Sequence, residues 1–471
     1  MNHNRKVFDV ADILIRNGFI ATMDKERRVY PKGSLYIADG RIVSIGKEID
    51  APRSPDYVLD AEHKVVLPGF VNVHAHLQQY FRGVYELIGD FYEVNLPLEG
   101  YRRPDDMEYL GLASCAELIY GGSTTTTIIY TYPDGFAKAV EKAGNRAILG
   151  ADIEEVDLTK LRDGVYEYLP EKGDTAFRRA MDLYRNWHGG AEGRISTIMA
   201  PKAPDLTAAE TCLRCKEVAK RYDLKITTHL SQSWREVLQV KKKYGKTPPE
   251  HIHDLGLMDS QLSGAHCTYA TERDTQLIRE SGMAILHCRA VTNPLTRWLD
   301  LGIPVGLGTD DYHHDMLQLL RQNITGAKTR AKRVGGAECM LSGSPKTARP
   351  TLYELLELAT RGGAEVMGVD NDVGSLELGK RADIITVNML NPFLTPTKDP
   401  LTSIVLYGTS ADIATVIVDG RILKKDGALI SFDMNEALLK AQERVDEIIK
   451  RFFEDYPDQQ KAWKGRVPYL K

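Results

Sequence analysis

Long apolar runs are missing from this chain of 471 residues. No segment approaches the roughly 20 consecutive apolar residues that a membrane-spanning helix requires, so no membrane partner is expected. The opening stretch, MNHNRKVFDVADILI, shows no apolar core of a secretory signal, and a cytoplasmic location is expected. A surplus of one charge is also missing. The 61 Lys and Arg against 65 Asp and Glu leave a net charge of -4, whereas a nucleic-acid partner calls for a basic domain. Cysteine is scarce, with six residues scattered over the length, which excludes a disulfide framework. The one close pair, Cys212 and Cys215, lies in the helical-looking stretch AAETCLRCKEVAKRY. Helix packing explains that spacing better than zinc does. What remains, 43% hydrophobic and 27% charged residues, describes an ordinary globular enzyme or binding protein. The length suits a large barrel with a smaller satellite.

Residues 1–67 show short alternating stretches with turn signals: ADILIRNGFIAT, GSLYIADGRIVSIG and YVLDAEHKVVLP. A similar pattern returns in ADIITVNM and IATVIVDGRILKKDGALI. Alternation broken by Asp-Gly turns predicts β-hairpins. The two ends, 1–67 and 371–432, are expected to pair into one β-sandwich subdomain. Between them, 68–370 alternates apolar runs with helical stretches. Eight candidate strands start in FVNVHAH, STTTTIIY, AILGADIEE, ISTIMAP, LKITTHL, LSGAHC, MAILHC and PVGLGTD. That alternation predicts an α/β fold, a parallel (β/α)8 TIM barrel. The remainder, 433–471, is a C-terminal helix and tail. Its apolar positions Leu438, Leu439, Val445, Ile448, Ile449, Phe452 and Phe453 fit an amphipathic helix docked on the body.

In such a barrel the reactive groups sit at the C-terminal ends of the strands. His74 and His76, His229, His266, His287 and Asp310 all fall there. His74 and His76 are two apart on an extended chain, so they point the same way. They either share a metal or form a pair of satisfied core histidines. With His229 and Asp310 at other strand ends, the set His74, His76, His229 and Asp310 suits one first-row divalent ion. Zinc comes first, with iron, cobalt or manganese as alternatives. Asp310 is both ligand and proton carrier, since a buried carboxylate is rare unless paired or metal-bound. His266 reads either as a core histidine that satisfies the barrel or as the catalytic acid, base or polarising group beside an activated water. The second HxH, His251 and His253, lies in a helical-looking stretch, where residues two apart diverge by about 200°. It reads as structural. His287, His313 and His314 are candidates for pocket lining. The loop QQYFRGVYELIGDFYEV could line a pocket with Tyr80, Phe81, Tyr85, Phe91 and Tyr92, or pack a small core of its own.

These residues resemble the amidohydrolase superfamily: PGFVNVHAH on strand one, His229, His266 and GTDD on strand eight. GSTTTT, GSLELGKRADIITV and VIVDGR are similar to its second barrel strand and its β-sandwich. The resemblance covers most of the chain. It points to the mononuclear branch that includes cytosine and guanine deaminases and triazine hydrolases. It implies His74, His76, His229 and Asp310 as ligands and His266 as the group on water or substrate. Two positions depart from that branch. Its deaminases read H-x-x-E after strand five, and the glutamate shuttles a proton to a ring nitrogen; here the run is HLSQ, with Gln232. A carboxamide carries no proton at neutral pH. Lys202, in APKAPD, stands where several relatives have histidine. It is either a substrate or structural contact, or a carboxylated lysine bridging two metals as in other superfamily members.

The expected activity is metal-dependent hydrolysis of a C–N bond in a small, fairly apolar amide, urea or (thio)carbamate. The pattern looks like amidohydrolases that cleave phenylureas and thiocarbamates. The alternative is a deaminase or triazine-type hydrolase acting on an N-heterocycle. Gln232, Lys202, His313, Tyr80 and Phe81 are the expected substrate contacts, and a homo-oligomer is expected. A catalytically dead scaffold would lose ligands, and none is missing.

Overall fold

The computed structural model describes residues 10–76, 82, 84, 91–288, 294–311, 313–334 and 349–466. Five strands open the chain: β1 (Ile13–Ala21), β2 (Val29–Ala38), β3 (Arg41–Gly46), β4 (Tyr57–Asp60) and β5 (Lys64–Pro68). Eight follow: β6 (Phe70–Ala75), β7 (Ser123–Tyr130), β8 (Arg146–Ile153), β9 (Ile195–Pro201), β10 (Ile226–Leu230), β11 (Leu262–His266), β12 (Ala284–Cys288) and β13 (Val305–Gly308). Four more come last: β14 (Ile384–Asn388), β15 (Ile413–Val418), β16 (Arg421–Lys425) and β17 (Ala428–Leu429).

The outer strands form one sheet in the order β17-β16-β15-β14-β5-β1-β2-β3, with β4 beside β1. Both chain ends therefore build it, joined where β5 meets β14 antiparallel. Three Asp-Gly turns make its hairpins: Asp39-Gly40, Asp419-Gly420 and Asp426-Gly427, each with φ positive at both residues. Such turns match the right-handed twist of the flanking strands. Ile13, Ile15, Leu35, Ile37, Val66, Ile384 and Ile417 share one apolar cluster inside this subdomain.

The eight middle strands pair in parallel in sequence order, from β6 to β13, as expected of a TIM barrel. The ring closes at the C-terminal ends of β6 and β13. There the Asp310 amide donates to the His74 carbonyl at 2.9 Å and the His76 amide to the Asp310 carbonyl at 3.1 Å. The Asn72 side chain bridges the same seam, donating to Thr309 Oγ1 at 2.7 Å and accepting from the Thr309 amide at 3.1 Å. Glycine makes the approach possible. A Cβ on Gly308 would sit 2.8 Å from His74 Cβ and O.

A buried ion network ties the barrel to the outer sheet. Arg146 donates to both carboxylate oxygens of Asp383, at 2.9 and 3.0 Å. Asp383 also accepts the Asp419 amide at 2.9 Å, and Asp419 pairs with Arg381 and Arg421. Removing one partner of a buried pair strands the other charge without solvent. Arg146→Ala is therefore expected to cost about 3–5 kcal/mol, measured by chemical denaturation; a loss under ~1 kcal/mol would show that water replaces the guanidinium there.

The helix Met434–Asp455 docks on the barrel through Ala437, Ala441, Val445, Ile448, Phe452 and Phe453. Leu438 and Leu439, expected on that face, are turned out and exposed. Cys212 and Cys215 are buried in the helix Ala209–Tyr222. Among the described residues no helix is long and apolar enough to cross a membrane.

Candidate active site

Three strands end in residues with left-handed backbones: Ser231 after β10, His266 at the end of β11 and Asp310 after β13, with φ of +49°, +75° and +61°. Non-glycine residues there cost on the order of 1–3 kcal/mol each, and such strain gathers at functional sites.

His74, on β6, and His76, just past its end, face His229 from β10. Ligand atoms of the three lie within 4.8 Å of one another. The ring nitrogens are specifically tied. His76 Nδ1 faces the Ile129 carbonyl at 3.3 Å, and His229 Nδ1 faces the Lys202 carbonyl at 2.7 Å. Each Nδ1 donates, so each Nε2 keeps its lone pair. Those two Nε2 atoms stand 3.1 Å apart. Two lone pairs at that distance repel unless a cation lies between them. Nitrogens on a tetrahedral zinc, with bonds of 2.0–2.1 Å, are about 3.3 Å apart. His74 is wholly buried, and neither of its ring nitrogens has a hydrogen-bond partner, a rarity in a folded interior without a cation. Asp310 stands beside the group, with Oδ1 3.8 Å from Nε2 of both His74 and His76. Burial, then the neighbouring imidazoles, pushes His74 and His76 well below the usual histidine range and His229 down to about 3. The rings are neutral, the form that binds metal. These residues fit a divalent ion.

His266 stands on the other side of Asp310, its Nδ1 3.9 Å from Oδ2. Gln232, half-buried, follows β10. Its amide and that of Ser231 each donate to the Glu236 carboxylate at 2.7 Å. Burial and Asp205 push the Glu236 carboxyl up to about 8 against those bonds. This buckle, which sequence reasoning missed, holds the turn that carries Gln232.

Lys202 follows β9 at the site's edge, but its ammonium is spent on carboxylates. Nζ lies 2.7 Å from Glu99, 3.1 Å from Asp152 and 4.0 Å from Glu154. Burial opposes its charge, yet the three carboxylates outweigh burial and raise it above the ordinary lysine value. A lysine must lose its proton to be carboxylated, so this cluster argues against a bridging role. Native protein and Lys202→Ala should accordingly carry the same metal per folded chain by elemental analysis; a halved content in the variant would reinstate the bridge. Asp152 and Glu154, at the end of AILGADIEE, obeyed the same strand-end rule as the histidines and could have been singled out. Glu99 gave no such signal.

The remaining candidates divide. His314 is buried, with Nδ1 2.9 Å from Thr309 Oγ1, and His287 meets Asn323 at 2.5 Å; both are held by their neighbours. His313 accepts the Asp315 amide on Nδ1. Tyr92 is buried with Leu96, Val156 and Leu161 and donates to Asp205, so it packs against residues from other parts of the chain. Tyr80, Phe81 and Tyr85 lie outside the described residues, as does the side chain of Phe91. His251 and His253 sit on the helix Pro248–Asp254, away from the site's ligand group. His251 is buried, stacked 3.8 Å from Tyr244, rather than on the surface.

Comparison with known proteins agrees with this geometry. The profile described as "Amidohydrolase family" matches residues 65–423. The chain is 31% identical over 454 residues to the 5'-deoxyadenosine deaminase of Methanosarcina mazei, covering 94% of this chain and 99% of that one. It is 30% identical over 449 residues to the 5-methylthioadenosine/S-adenosylhomocysteine deaminase of Desulfitobacterium hafniense, covering 93% and 98%. In fold it is similar to a zinc-bound adenosine deaminase from Xanthomonas campestris, at TM-score 0.81 and 23% identity over 93% of this chain and 99% of that one. It is also similar to the zinc complex of atrazine chlorohydrolase from Arthrobacter aurescens, at TM-score 0.80 and 22% identity over 92% and 100%.

Proposed function

The chain belongs to the amidohydrolase family, metal-dependent hydrolases of C–N bonds, and on that premise we propose that it is an aminohydrolase of a small aminated N-heterocycle. An adenine nucleoside without a 5'-hydroxyl, the substrate type named for its relatives, is the first to test. This reading takes the place of the expected acyclic amide, urea or carbamate as the main one. The observation that carries it is the convergence of His74, His76, His229 and Asp310 at the strand ends of a chain that aligns with deaminases over nearly its whole length.

His74, His76, His229 and Asp310 would hold one ion. Such an ion, once bound, would lower the pKa of water towards about 7 and polarise the electrophile. Asp310 takes the proton of the attacking water and returns it to the leaving amine. His266, across the carboxylate, steadies that water and the oxygen that develops charge. Gln232 offers its carboxamide to a ring nitrogen as donor or acceptor, but moves no proton.

Gln232 also favours a second reading. An amide, urea or (thio)carbamate carbonyl, including the phenylurea type, needs no ring protonation. The test is kcat/KM measured side by side on 5'-deoxyadenosine, an aminated triazine and a phenylurea. Ring substrates turned over faster support the aminohydrolase; the phenylurea alone being cleaved would sink it and install the second reading.

A further inference from the structure

A second group of three donors lies beside the first. Ligand atoms of His74, His266 and Cys288 all fall within 4.8 Å of one another. Cys288 ends β12, the strand between the one that ends in His266 and the one that leads to Asp310. Its thiol is buried, with Sγ 3.4 Å from the Leu286 carbonyl. His74 belongs to both groups, and its two buried ring nitrogens have no hydrogen-bond partner. Asp310 divides its oxygens between the groups, Oδ1 toward His74 and His76 and Oδ2 toward His266. Among the described residues, Cys115, Cys212, Cys215 and Cys267 belong to no such group.

We propose that His266, Cys288 and His74 form a second subsite for a thiophilic divalent ion, such as cadmium or zinc in excess, and that filling it inhibits the enzyme. The donor set selects the ion. A thiolate with imidazoles prefers soft and borderline metals over magnesium or calcium. On binding, the Cys288 S–H bond breaks and a sulfur–metal bond forms, while His74, holding the first ion through one ring nitrogen, gives up its N–H proton and binds the second ion through the other; both protons leave to solvent, with no change of oxidation state. Inhibition follows because the ion takes His266 from the water and draws on Asp310. The binding half is independent of the substrate; the inhibition half rests on the role proposed for His266.

The experiment titrates the zinc-containing protein with cadmium at constant pH. One further equivalent should bind with the zinc retained, giving the ultraviolet charge-transfer absorption of a thiolate–cadmium bond and turnover that falls in step. Cys288→Ser should keep its zinc, lose the absorption and bind cadmium more weakly by on the order of 10- to 100-fold or more. If the serine variant holds no zinc, Cys288→Ala serves in its place. No absorption in the native protein, absorption undiminished in the variant, or cadmium entering only as zinc leaves would each overturn the subsite. Binding without loss of turnover would overturn the inhibition. A native protein that purifies without any divalent metal would instead remove the first site, a result distinct from all of these.

Discussion

His74→Ala is expected to abolish turnover and to lower the metal content of the purified protein together. His74 is the buried ring whose two nitrogens find no partner in the protein, and its Nε2 faces Asp310. Removing it leaves His76 and His229 with Nε2 atoms 3.1 Å apart and one donor fewer to hold the cation between them. Asp310→Asn should differ in kind. A carboxamide can still coordinate weakly, so part of the metal remains, but it accepts no proton. Loss of a positioned acid-base group costs on the order of 10²- to 10⁴-fold in kcat. Elemental analysis beside steady-state kinetics separates the two variants. His253→Ala, on an exposed side chain, should change neither reading. A His74→Ala protein with full metal and full activity would remove the proposed centre altogether.

Gln232→Glu is expected to raise kcat/KM on an aminated ring by on the order of 10²-fold, the lower end of what a positioned proton carrier contributes. Attack at a ring carbon is helped when the adjacent ring nitrogen gains a proton, and glutamic acid can deliver one where glutamine cannot. The backbone is already placed for it, because Glu236 clamps the amides of Ser231 and Gln232 at 2.7 Å. On a carbonyl substrate the same change should gain little. An added carboxylate near Asp310 disfavours ionisation of one of the two, so activity there should stay level or fall. Measuring both substrate types on native and variant enzyme decides the matter. Native turnover of the ring already equal to that of the variant would show that another group supplies the proton, with His313 the first to replace.

Much of the candidate site was legible before the fold was known, for a reason tied to particular residues. His74, His76, His229, His266 and Asp310 each end an apolar run, and a polar side chain at the end of a buried strand has few structural uses. The small HxH could be set aside on periodicity alone, since its helix sends His251 to Tyr244 and His253 to solvent. Lys202 was not legible in the same way. Its partners Glu99, Asp152 and Glu154 come from 103, 50 and 48 residues away in sequence, and only their meeting makes the lysine a buried ion. Cys288 was silent for the same reason, because a lone cysteine carries no spacing signal.

The sequence by itself determined the elements and their order: hairpins at both ends, eight parallel strands between, and which strand ends carry imidazole and carboxylate. Those properties are local, written in alternation, Asp-Gly turns and the length of apolar runs. The tertiary structure alone decided which atoms face one another. It set the Nε2 atoms of His76 and His229 against each other by committing each Nδ1 to a carbonyl. It closed the barrel through Asn72, His74 and Asp310. It also turned Lys202 away into three carboxylates. Such contacts join residues far apart along the chain, and their distances follow from how the strands pack, which no local pattern encodes.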